Sequence, residues 1–163
     1  MILVPTAIAM SQFQSEVIVR QPIERVFDFF SRPENLPKLS PKTMPIEVVS
    51  APEVLAPDST IKIKVRQWGI PQQIEARVVQ FEPPRCFADE QVKGPFARWR
   101  HTHRFEAIEH DRTRVIDLVE FDPPTGLLAM LLTESKVLEQ LQEVFEERRR
   151  MLLEILEGNG SAD

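Results

Sequence analysis

Two histidines two residues apart, His101 and His103, stand in the run ARWRHTHRFEA over 97–107. In an extended chain successive side chains point to opposite faces. Ala97, Trp99, His101, His103 and Phe105 therefore share one face, and Arg98, Arg100, Thr102, Arg104 and Glu106 the other. The aromatic set reads as inward and the charged set as facing solvent, which aims both imidazoles at the interior. An imidazole there can act as a general base beside a ligand carbonyl, if a carboxylate fixes its tautomer and raises its basicity. The plainer alternative is that buried polar groups satisfy one another or orient a ligand. A metal site needs three or four convergent ligands. This strand supplies two, so no metal and no other cofactor is expected. His110 falls at a turn and reads as surface.

Carboxylates that could serve these histidines lie on the flanking segments. In 114–122, Val115, Asp117, Val119 and Phe121 share a face, and Ile116, Leu118 and Glu120 share the other. Both sets carry apolar residues, so the pattern alone leaves the facing open. In 85–93, Phe87, Asp89 and Gln91 oppose Cys86, Ala88, Glu90 and Val92, and again either face can be the buried one. If the first set points inward, Asp89 lies near His101 or Trp99.

The elements that must position these groups follow from the punctuation of the chain. The alternating, β-branched stretch 12–20 (QFQSEVIVR) reads as a strand. Pro22 is tolerated in the first turn of a helix, where its missing N–H has no partner to lose. Ile23, Val26, Phe27 and Phe30 then recur at helical spacing over 23–31. Arg32-Pro33 breaks that helix, and one further short turn precedes Pro41. Strands follow at 46–49, 60–67, 73–82, 85–93, 98–108 and 114–122, with a turn at 68–71 and short separators elsewhere. Such spacing predicts an antiparallel meander. A helix over 131–156 closes the chain, with Val137, Leu138, Leu141, Val144, Phe145, Arg148, Met151, Leu152 and Ile155 on one stripe. About 25 residues of helix span roughly 37 Å, enough for a whole sheet to close on. A strongly twisted sheet around a helix leaves a gap where the two diverge, and ligands bind in such gaps.

The totals narrow the function. The chain has 163 residues, 42% hydrophobic and 28% charged, with a net charge of −5. No basic field exists to hold a nucleic-acid backbone, and no apolar run is long enough to span a bilayer. The single Cys86 allows no internal disulfide and suits a reducing, cytoplasmic compartment. Residues 1–11 read as a flexible extension, 12–158 as one ligand-binding domain and 159–163 as a disordered tail. A homodimer is left open. The basic face of Arg98, Arg100, Arg104, Lys62, Lys64 and Arg66 offers a recognition surface, although a solvated outer sheet face is the commoner explanation. Trp68 and Pro71 in the turn are candidate gates.

Three segments carry a resemblance: IVRQPIERVFDFFSRPENLPKLSPK from Ile18, GPFARWRHTHRFE from Gly94, and FEERRRML from Phe145. Together with the order of elements, they resemble the START-like, or helix-grip, superfamily of polyketide cyclase/dehydrase-like and coenzyme-Q-binding proteins. The resemblance implies an α+β fold: a curved antiparallel sheet of six or seven strands around a long C-terminal helix, with two short helices after the first strand. It also implies a cavity for a hydrophobic or amphipathic molecule such as a lipid, quinone or polyketide. The cysteine/histidine pattern of Rieske-type relatives is not seen. The family pattern places Asp117 inward. A three-residue turn at 109–111 then sets His103 opposite Asp117 and Trp99 opposite Phe121. The expected pocket is lined by Phe30, Ile63, Val65, Trp99, His101, His103, Phe121, Leu141 and Phe145. Binding stands ahead of two alternatives: a cyclase/dehydrase-type enzyme with His103 as base and Asp117 as its orienter, and an interaction module using the basic sheet face.

Overall fold

A computed structural model describes residues 10–158, apart from 68, 69 and 125 and the side chains of Gln67 and Leu127. Trp68 and nearly all of the expected extension and tail lie outside the described residues. Strand β1 (Ser11–Val19) leads into helix α1 (Ile23–Phe30) and two single turns of 3-10 helix, Pro33–Asn35 and Pro37–Leu39. Six strands follow: β2 (Ile46–Ser50), β3 (Thr60–Gln67), β4 (Ile70–Glu82), β5 (Cys86–Lys93), β6 (Arg98–Glu109) and β7 (Arg112–Asp122). A 3-10 turn at Gly126–Met130 precedes the long helix α2 (Glu134–Glu157). The seven strands form one antiparallel sheet in the order β1-β7-β6-β5-β4-β3-β2. The α+β helix-grip architecture read from the sequence is the observed one.

Differences in detail have local causes. α2 starts at Glu134 rather than 131 because Thr133 caps it, its hydroxyl accepting the Lys136 N–H at 3.4 Å. β4 starts at Ile70, so Pro71 is a strand residue rather than part of a turn. The β6–β7 connection is two residues, His110-Asp111, instead of three. Ala107 pairs with Thr113 and Glu109 with Arg112, so Ile108 is an extra, bulged residue that restores the odd count. The expected register survives: His103 faces Asp117 and Trp99 faces Phe121.

α1 owes its position to its apolar face. Val26 and Phe27 are buried, and the Phe27 ring packs edge-on against Phe81, Phe87 and Phe105 at centroid distances of 5.7, 6.0 and 5.5 Å. α2 is fastened to β1 at both ends. The Ser11 hydroxyl donates to Glu134 at 2.7 Å, and the Arg20 backbone N–H donates to Glu157 Oε1 at 2.7 Å. The buried side chains form two clusters, one around α1 with Val78, Phe105, Val115 and Leu152, the other uniting Val119 and Phe121 with Val137, Leu141 and Phe145. On the outer face, Arg100 pairs with Glu90, Arg98 with Asp122, and Lys62 with Glu75. Much of the basic surface seen in the sequence is thus neutralised in place. No described helix is long and apolar enough to cross a membrane.

Candidate functional site

The sheet and α2 enclose a cavity of about 220 Å³. β3 and β4 give it an apolar side through Ile61, Ile63, Val65, Ile74 and Ala76, and α2 gives Val137, Leu141, Val144 and Phe145. A polar end is built where β5, β6 and α2 meet, from Asp89, Gln91, His101, His103 and Arg148. Gln91 is held in place, its Nε2 donating to the Phe96 carbonyl at 2.7 Å.

Asp117 is the hinge of this polar end. It is buried on β7 behind the two imidazoles. His101 Nε2 lies 2.9 Å from its Oδ1, and His103 Nδ1 lies 2.7 Å from the same oxygen. The second contact is short but misaligned, so His103 Nδ1 has no well-formed hydrogen bond. The two rings lie 3.9 Å apart, with Phe87 4.4 Å from His103 and Phe145 5.7 Å from His101. Burial alone would raise the Asp117 carboxyl, but the hydrogen bond from His101 and the close approach of the His103 ring outweigh it and hold the group well below the usual carboxylate range. Burial, aided by His101, pushes His103 down to about 3 and keeps it neutral near neutrality. Asp89 is pushed up by burial, against the pull of His101 and Arg148.

Arg148 reaches the cavity from α2. Its guanidinium carbon sits 5.9 Å from the Phe30 ring and 5.5 Å from the Phe145 ring, close enough for cation–π attraction. Its Nε is buried and has no hydrogen-bond partner. A smaller hollow of about 50 Å³ adjoins the main cavity and shares Asp89, His103 and Arg148 with it.

Of the residues expected around the pocket, Ile63, Val65, Trp99, His101, His103, Leu141 and Phe145 line the main cavity. Phe30 does not; it lines the smaller hollow. Phe121 is a correction. Though inward, it is fully buried and packs its ring against Phe96 and Trp99, each at 5.9 Å, so it backs the wall rather than facing the cavity. The facing left open for 85–93 resolves with Asp89 inward and directly across from His101. Phe96 was missed, because its Gly94-Pro95 neighbourhood gives no period from which a face can be read.

The family described as polyketide cyclase / dehydrase and lipid transport matches residues 19–148. The chain belongs to this family. Among solved structures, a START superfamily protein from Mycobacterium smegmatis is similar at a TM-score of 0.71 and 13% identity, over 90% of this chain and 97% of that one. A protein from Chromobacterium violaceum gives 0.71 and 15%, over 90% and 97%. The Zhui aromatase/cyclase from Streptomyces sp. R1128 gives 0.66 and 18%, over 92% and 93%. These likenesses show a START-like fold. No curated protein matches the chain in sequence. Membership of the polyketide cyclase/dehydrase family supports a role in binding a ligand or in cyclase-type chemistry, at that level of generality.

Proposed function

We propose that the protein binds a compact amphipathic molecule, one with an apolar ring body and an anionic or strongly accepting group. The observation that carries this reading is Arg148: a buried guanidinium nitrogen without a partner, at the polar end of an otherwise apolar cavity. Leaving such a donor unsatisfied costs about 1–3 kcal/mol, which a ligand carboxylate, phenolate or enolate removes. The cavity's 220 Å³ is small beside the roughly 300–1,000 Å³ common for drug-sized ligands. That favours one or two rings, as in a small quinone or an aromatic polyketide fragment, over a lipid with two acyl chains. The lone Cys86 supports a reducing compartment such as the cytoplasm.

Titration calorimetry with 2-naphthoate and its neutral counterpart naphthalene-2-methanol tests the polar anchor. The native chain should prefer the carboxylate by at least tenfold, and Arg148→Met should abolish that preference while still binding the alcohol. Equal affinities for both compounds in the native chain would contradict the reading.

One observation supports a second, enzymatic reading: His101, His103 and Asp117 form a connected polar chain of which both imidazoles line the cavity. Proton abstraction beside a ligand carbonyl would then fall to His103, with Asp117 positioning it. Its low basicity argues for orientation of ligand ahead of turnover. The outer face favours neither reading, since several of its arginines and lysines are already paired.

A further inference from the structure

The geometry points to a binding site for one first-row divalent transition-metal ion, formed by Asp89, His101 and His103 on the cavity wall, with Asp117 holding the imidazoles in ligating tautomers. One donor atom from each of the three residues lies within 4.8 Å of the others. A metal with bonds of about 2.0–2.2 Å holds neighbouring donors roughly 3–3.5 Å apart. A contraction of about 1.5 Å is within reach of modest side-chain rotation. The backbone is already arranged for it: His101 and His103 alternate onto the same face of β6, and Asp89 sits directly across from His101 on β5.

Asp117 supplies the second, independent observation. Both imidazoles address a single oxygen, Oδ1, one through Nε2 and the other through Nδ1. With each N–H directed there, His101 Nδ1 and His103 Nε2 keep the lone pairs. A carboxylate behind a histidine that fixes its tautomer and ring angle is the usual support of a metal-bound imidazole. His103, only 5% exposed, also carries the misaligned Nδ1. Two imidazoles and one carboxylate suit zinc, cobalt or ferrous iron, and three protein ligands leave a coordination position open to the cavity.

Arg148 is the opposing charge. With both carboxylates ionised, Asp89, Asp117 and Arg148 together carry one net negative charge. A bound dication turns this to one net positive charge, which an anionic ligand would neutralise. The metal site does not depend on that ligand.

The test uses the full chain without a histidine tag, stripped with chelator and titrated with Co²⁺ alone and Zn²⁺ alone. Calorimetry should show one ion per chain at micromolar concentration, and Co²⁺ should develop ligand-field absorption typical of nitrogen and oxygen donors. Asp89→Asn and His101→Ala, with folding checked by circular dichroism, should each weaken binding by more than about tenfold. His110→Ala, at the exposed β6–β7 turn, should leave it unchanged. Either variant suffices if the other does not fold. Absence of stoichiometric binding, retention of it in a folded variant of the triad, or its loss in His110→Ala would overturn the assignment.

Discussion

Asp117 serves two imidazoles with one oxygen, and the buried His103 and Asp117 both resist taking up a proton. His103 is faced by His101 on its own strand, Asp117 on β7, Asp89 on β5 and Arg148 on α2. In the unfolded chain its ordinary value is 6.5, whereas in the fold it falls to about 3. Between those values the unfolded state takes up a proton that the folded state refuses. Stability is therefore present above about 6.5 and drains away as pH falls. Asp117 acts in the same direction below its ordinary 3.8, because its folded carboxyl resists protonation. Each such proton contributes a slope approaching about 1.4 kcal/mol per pH unit. Urea unfolding of chelator-treated protein from pH 7 to pH 4 should show this loss, and His103→Gln should flatten it. A native curve that is level, or that rises toward pH 4, would contradict the assigned burial of the imidazole.

Helix α1 fixes the floor under this cluster, and its contribution can be measured separately. Phe27 is buried among Phe81, Phe87 and Phe105. Phe27→Ala removes that packing and leaves a cavity, at a cost of roughly 3–5 kcal/mol in thermal or denaturant unfolding. A loss below about 1 kcal/mol would mean that α1 is not seated as described. The elements themselves were legible from alternation and helical spacing, whereas the His103–Asp117 register followed from the family resemblance with an assumed three-residue turn, and it holds because the Ile108 bulge restores the odd count. The facing of β5 was not legible, because Cys86 and Ala88 suit a buried face as well as Phe87 does. On the outer face Cys86 and Ala88 are buried all the same, Cys86 beside Arg85, Arg100 and Arg104, while Val92 is exposed, a distinction no local pattern carries. Phe121 illustrates the matching limit at the site. Parity tells which face a side chain occupies, but only packing decides whether it touches the cavity or stands behind Phe96 and Trp99. Arg148 was visible as an interruption of the apolar stripe, while the lack of a partner for its Nε appears only in three dimensions.

At the scale of the whole molecule, a helix fastened at both ends to β1 spans a sheet whose two core clusters leave room between them. That arrangement stabilises the walls without filling the centre, and it places two unsatisfied buried atoms, His103 Nδ1 and Arg148 Nε, at one end of the space. On the outer face Lys62, Arg98 and Arg100 are instead paired with carboxylates. On the proposed reading the cavity holds a small molecule. Native mass spectrometry on protein purified from its own host, beside an Ala76→Phe variant prepared identically, tests it most directly. Ala76 lines the apolar side, so the larger ring fills the space at a tolerable cost of about 1–3 kcal/mol. The native chain should carry a small-molecule adduct at one copy per chain, and the folded variant should lack it. Identical spectra for the two proteins would contradict the account.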